Sequence, residues 1–299
     1  MMESNTATSG ALARRAIPKH IPLNQVLARI NEISTLPHLA LRVMQVANDP
    51  EAGAAELKNV VEADAALSAR VLRSVNSSAY ALQTKITNLH YAISYLGFNQ
   101  IRNLAVTALV SEAFKLRGTI GRYDRAELWR HIVSVGICAR MLAARKRIPN
   151  YEDAYLAGLL HDFGIILEDQ HLHDSFEAMI IALDGTRSLS ELEEEYLGFN
   201  HSTIGLWMGK NWKFPPAVQS SIQYHHASHK CTNEHVPIVQ CVEIADFICS
   251  FKGITSVGIN LVPPPKDTIM AMELTKDDLK VLITDLDTEI LRYESLFKV

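Results

Sequence analysis

Seven residues in the second half of the chain carry side chains suited to holding a transition metal: His131, the doublet His161-Asp162, His201, the doublet His225-His226, and Asp246. Imidazole nitrogen and carboxylate oxygen together suit borderline ions such as Fe, Mn, Co, Ni or Zn. A carboxylate that bridges two ions can also hold a nucleophilic water. Five of the twelve histidines belong to this set, each within or at the edge of an otherwise apolar helical segment. The pair His161-Asp162 is the sharpest element. It lies in the apolar run from Leu156 to Leu167, where an unpaired carboxylate is costly and a metal is the most economical compensation. Neighbours on a helix diverge by about 100°. Both therefore reach one site only at a helix edge or bend, which Gly164 is expected to supply.

Each of these residues also has a plainer reading. A lone helical histidine is more often a satisfied polar group than a ligand. Asp246 suits a helix-packing acceptor, and His131 can line a groove. His225-His226, followed by His229 and His235, suits a helix end, where imidazole complements the dipole. What favours the metal is the order of the whole set and its spread over separate helices, as a site inside a bundle requires.

The elements that must position these residues read as helix almost throughout. Apolar residues recur at helical spacing from Leu23 to Ile33 and from Leu39 to Ala47, with a break at Pro37 and a turn at Asp49-Pro50. Helices follow over Ala54–Val61, Ala65–Val75 with Asp64 as cap, Thr87–Leu96 closed by Gly97, and Gln100–Leu116. Gly118 to Tyr123 marks a boundary. Asp124 with Glu127 opens a helix to Arg147 that carries His131. Asn150 caps the next helix, from Tyr151 to Leu167. His171 to Thr186 is weakly helical. Ser190 with Glu193 starts the next helix, Asn200 caps the one bearing His201, and Pro215-Pro216 opens the one ending at His225-His226. Pro237 opens the helix of Asp246. Three prolines within Val262–Lys266 make a linker or rigid bend, and Thr275 with Asp278 caps a last helix to Phe297. The class is all-α, divided as a lead-in (1–20), an N-terminal helical part (21–118), a ligand-bearing helical part (119–253), and a linker with a C-terminal amphipathic helix (254–299).

Composition narrows the function classes. The chain of 299 residues is 48% hydrophobic and 21% charged with a net charge of -4. It therefore has no global field to attract nucleic acid or an anionic membrane. The cysteines Cys138, Cys231, Cys241 and Cys249 form no C-x-x-C pair, which fits reduced thiols in a cytoplasmic setting. Residues 1–20 lack the apolar core of a signal peptide and read as disordered. No P-loop, dinucleotide fingerprint or nucleophile elbow is present.

The pattern H…HD…D formed by His131, His161-Asp162 and Asp246, extended by His201, His225 and His226, resembles the HD superfamily of metal-dependent phosphohydrolases. In the N-terminal half, Leu36-Pro37, Glu62 to Leu67, Val71-Leu72-Arg73, Asn76-Ser77, Ala92-Ile93 and Leu96-Gly97 are similar to the HDOD domain. This is a bacterial signalling module related to the HD-GYP phosphodiesterases, and the resemblance spans about Ile30 to Phe251. It implies a multi-helix HD-type bundle with an N-terminal helical layer, holding one or two divalent ions (Fe or Mn favoured; Zn, Ni or Co admissible). Two departures bear on activity. Ile165 stands where the cyclic-di-GMP phosphodiesterases carry a lysine after the HD pair, and Ala227-Ser228-His229 replaces their Gly-Tyr-Pro. HDOD proteins often lose metal ligands and generally lack an established hydrolytic activity, whereas this chain keeps a full set. The expectation is a regulatory module acting through signalling proteins or a phosphate-containing small molecule. The alternative is a phosphohydrolase in which Asp162 is the catalytic residue, with Arg130 or Lys210 reaching in as the cation.

Overall fold

The computed structural model describes residues 21–32, 38–49, 51–116 and 118–298. The lead-in expected over 1–20 and the break at Pro37 lie outside them. The first layer consists of α1 (Leu23–Glu32), α2 (His38–Asn48), α3 (Ala54–Glu62), α4 (Ala65–Val75), α5 (Leu89–Leu96) and α6 (Phe98–Val110). Asp64 caps α4 as the sequence predicts, accepting from the Leu67 amide. The helix expected from Thr87 begins later because Asn88 is the residue whose side chain caps it. Gly97, at φ 85°, ends α5, and α6 starts at once.

α6 is buried around most of its circumference, so it must be covered on several sides and its buried polar groups must find partners. α2 and α4 cover one side and α8 (Tyr151–Leu160) another. The polar groups of α6 that meet α8 are all engaged. Arg102 donates to Asp153 at 2.9 Å, Asn103 to the Glu152 carbonyl at 2.9 Å, and Thr107 meets the Tyr155 hydroxyl at 2.9 Å.

Between the halves lies the one pair of strands among the described residues, antiparallel β1 (Thr119–Ile120) and β2 (Tyr123–Asp124). Asp124 then caps α7 (Arg125–Arg145). The Glu127 side chain turns to Arg130 and does not complete a capping box. α7 and α8 form the spine of the second half, with α14 (Val236–Phe251) packed against both. Asn150, expected to cap α8, makes no side-chain cap. It instead takes the left-handed conformation (φ 56°) that turns the chain into α8.

The remaining elements are α9 (Phe163–His171), α10 (His173–Ile181), α11 (Leu189–Tyr196), α12 (His201–Asn211), α13 (Pro216–Tyr224), α15 (Lys266–Ala271) and α16 (Lys276–Arg292). The cap of α11 is Ser188 with Glu191, a reciprocal box, and not Ser190 with Glu193. Thr275 and Asp278 form the predicted box on α16, which ends at Arg292 and not Phe297. α16 packs on α7, while Trp129 donates to the Leu296 carbonyl and Arg292 to that of Ala79. No described helix is long and apolar enough to cross a membrane.

Candidate metal centre

The predicted helix from Tyr151 to Leu167 is in fact two helices. It breaks at the metal-type doublet: His161 is the last residue with helical dihedrals, and Asp162 (φ -101°, ψ 13°) leaves the helix before α9 restarts. The break lets two adjacent side chains face one point. Gly164 is not its cause. A side chain on Gly164 would sit 2.0 Å from the His201 carbonyl oxygen, so this glycine allows α9 to approach the start of α12 and brings His201 beside Asp162.

All seven expected residues converge. Asp162 Oδ2 lies 3.5 Å from His131 Nε2 and 3.4 Å from His161 Nε2, while Oδ1 lies 3.4 Å from His201 Nε2 and 3.3 Å from His225 Nε2. Asp246 Oδ1 is 3.4 Å from His131 Nε2, and its Oδ2 is 4.0 Å from His226 Nδ1. The donors fall into two groups, one of His131, His161 and Asp246 and one of Asp162, His201, His225 and His226, with the ligand atoms of each within 4.8 Å of one another. Donors about 2.1 Å from a shared ion stand roughly 3–4 Å apart, so these spacings fit metal ligation. Asp162 points one oxygen at each group.

The hydrogen bonds behind the rings fix which nitrogen is free. Nδ1 of His131 faces the Ile254 carbonyl at 2.8 Å, that of His161 the Gly158 carbonyl at 2.7 Å, and that of His225 the Ile222 carbonyl at 3.0 Å. A carbonyl only accepts, so each Nδ1 donates, and Nε2 is the nitrogen turned inward, free to ligate once it carries no proton. Nε2 of His131 and of His161 and Oδ1 of Asp162 are buried without a hydrogen-bond partner. Three orphaned polar atoms in one place are what a bound cation would satisfy.

The sequence reading missed two acidic residues as parts of the site: Glu193, read only as a capping partner, and Glu168. Glu193 is fully buried and accepts from His201 Nδ1 at 2.8 Å and from the His201 amide at 3.1 Å. Glu168, on α9, is also fully buried. Burial, and then the neighbouring Glu193, push its carboxyl well above the ordinary range and favour its neutral form. The available sequence signal was an acid placed at an otherwise apolar helical position.

The electrostatics of the metal-free cluster follow from crowding. Burial opposes charge on His131, but Asp162 and Asp246 outweigh it and raise the imidazole to about 10. Burial likewise opposes charge on His201, and Glu193 chiefly overcomes it, giving about 9. Burial would raise Asp162, yet His161 and His131 hold it well below the usual carboxylate value. Protons on the imidazoles do in the metal-free protein what cations do in a loaded one.

Asp162, His225, His226 and Asp246 open onto a cavity of about 700 Å³. Arg130 and Lys210, the cations expected to reach in, do not. Arg130 is exposed and pairs with Glu127. Lys210 sits nine residues along α12 from His201, about 13 Å at the helical rise. The cation on the cavity wall is Lys266, which follows the three prolines.

The chain matches the family model of the HDOD domain over residues 33–228. A crystallised HDOD domain protein of unknown function from Geobacter sulfurreducens is 24% identical and superposes with a TM-score of 0.74, covering 91% of this chain and 96% of that one. A candidate phosphohydrolase from Shewanella amazonensis, 21% identical, gives 0.69 with the same coverages. An uncharacterized protein of Treponema pallidum is 22% identical over 254 residues, 80% of this chain and 48% of that protein, so the chain spans about half the length of this relative. With the matched residues 33–228 making up most of its 299, the chain belongs to the HDOD family.

Proposed function

We propose that this chain is a regulatory HDOD module that binds divalent metal at a two-ion centre, takes a phosphate-bearing small molecule over it, and passes occupancy to a signalling partner. The observation that carries this reading is the position of Asp162, one oxygen toward each of two complete ligand groups. Bound ions would supply positive charge for phosphate oxygens and lower the pKa of a coordinated water. The chain's own residues orient the ligands and keep the inner face dry: His131, His161, His201 and His225 are fully buried, whereas His226 faces the cavity partly exposed.

Regulation is favoured over hydrolysis by what surrounds the doublets. Ile165, where related phosphodiesterases carry a lysine, is fully buried among apolar side chains and leaves no room for a cation. Ser228, two residues after His226, donates to Glu243 of α14 at 2.6 Å and meets Thr268 of α15 at 3.0 Å. This joins the His225-His226 turn to the helix of Asp246 and to the C-terminal segment, a contiguous route by which site occupancy reaches the surface.

Hydrolysis is the second reading, favoured by Asp162 lying between the two groups and by Lys266 on the cavity wall. The test is elemental analysis of untagged protein purified without chelator, followed by a metal-replete assay on cyclic-di-GMP and on a generic phosphodiester. The expected result is one or two equivalents of metal and no turnover. Robust turnover that disappears in Asp162→Ala makes the chain an enzyme, and traces of metal alone in folded protein remove the metal centre.

A further inference from the structure

We infer that the segment after α14 builds a phosphomonoester subsite, in which Lys266 holds the phosphate's outer oxygens and the wall from Val257 to Pro265 holds an apolar organic group. The inference rests on the two-ion reading for the inner end of the ligand. It adds the outer end, which the seven metal-type residues do not specify.

The segment predicted as a linker or bend does not lead away from the domain. It folds back as one wall of the 700 Å³ cavity whose floor carries Asp162, His225, His226 and Asp246. That volume suits a small organic ligand. The wall is anchored where it leaves α14. Gly258 takes φ 78°, and a side chain there would lie 2.0 Å from the Arg122 carbonyl oxygen, so the backbone is pressed against the β1–β2 turn. Val257 is buried beneath it. Beyond this anchor, Ile259, Leu261 and the three prolines present an apolar, conformationally restricted face to the cavity.

The polar groups of the cavity divide into engaged and free. Glu243 accepts from Ser228 and Thr268. Lys266 lines the cavity and forms no ion pair among the described residues. One free ammonium, a metal-type floor and an apolar wall match a single phosphate with an apolar substituent. Asp246, the wall and Lys266 all lie beyond the matched residues 33–228.

The experiment is calorimetric titration of the metal-loaded full chain with inorganic phosphate and with phenyl phosphate. Phenyl phosphate is expected to bind about tenfold more tightly than inorganic phosphate, since its ring is removed from water against the wall. Lys266→Ala should weaken both by about tenfold, as loss of a charge-assisted contact does, with metal content unchanged, and Lys266→Arg should restore most of the affinity. Leu261→Ser should abolish the preference for phenyl phosphate and leave inorganic phosphate unaffected. Equal affinities for wild type and Lys266→Ala, or no binding heat from either ligand, overturn the inference. Failure to take up metal overturns the two-ion reading instead. In that case the same Lys266 comparison on metal-free protein still decides the subsite, and equal affinities there sink it.

Discussion

Two regions of the molecule, the α6–α8 joint and the cluster around Asp162, treat buried polarity in opposite ways. In the α6–α8 joint, Arg102, Asn103 and Thr107 are buried and every one has a partner at ordinary hydrogen-bond distance. Around Asp162, equally buried atoms are left over. Of the buried side-chain atoms lacking a partner among the described residues, all but Arg70 Nε and Ser295 Oγ lie between His131 and His171. A satisfied buried network specifies packing, whereas an unsatisfied one costs stability until something binds it. The α6–α8 joint is therefore a scaffold and the cluster around Asp162 a receptor.

The largest expected effect comes from removing the residue common to both ligand groups. Asp162→Ala should reduce metal content to traces by elemental analysis, while His229→Ala, outside the ligand set, should keep it. Equal loss in both variants would mean the cluster is not the metal site.

Next in size is Gly164→Ala. Its new methyl group has no space against the His201 carbonyl. Forcing α9 away from α12 should cost about 3 kcal/mol, a typical overpacking penalty. The measurement is a lowered urea midpoint at unchanged slope. A midpoint equal to wild type would show that the approach of α9 to α12 is not tight in solution.

Glu193→Ala should weaken metal binding by roughly 10–100-fold, the usual loss when the group behind a ligating imidazole is removed. Glu193→Gln, whose amide oxygen still accepts from His201 Nδ1, should recover part of it. Competition against a chromophoric chelator measures both. If neither variant moves the affinity, Glu193 is a packing residue only.

The smallest effect is a dependence on pH. The depressed Asp162 stabilises the metal-free fold above its ordinary value of 3.8 and loses this as pH falls through the folded value. His131 and His201, raised from 6.5 to about 10 and about 9, stabilise it below 6.5 and lose this as pH climbs through those values. His225, held below 6.5 chiefly by burial, resists protonation in the fold, so it destabilises the fold as pH falls below 6.5 and changes nothing between 6.5 and 10. The metal-free protein should therefore weaken between about pH 6.5 and 10. Metal needs the same nitrogens deprotonated, so its stabilising increment should grow over that range. Melting curves with and without metal at pH 6, 7.5 and 9 test this, and an increment that shrinks as pH rises contradicts it.

Much of this protein was legible from residue order. Helical spacing and caps such as Asp64, Asn200 and Thr275 mark elements because a cap satisfies its own backbone within a few residues, a local matter that local sequence records. The seven ligand-type residues were likewise visible, since buried imidazole and carboxylate among apolar neighbours are conspicuous by type. What residue order did not contain was distance. A bend near the doublet was anticipated, but its place at Asp162 and not at Gly164 follows from two adjacent side chains meeting residues of α7, α12, α13 and α14. Glu193 read as a capping partner of Ser190 and Glu168 drew no notice, because only the packing of α9, α11 and α12 removes them from water. Lys266 read as part of a linker until the proline segment folded back over the metal-type floor. Residue type is written in the chain, whereas burial and convergence arise only when helices distant in sequence share one core.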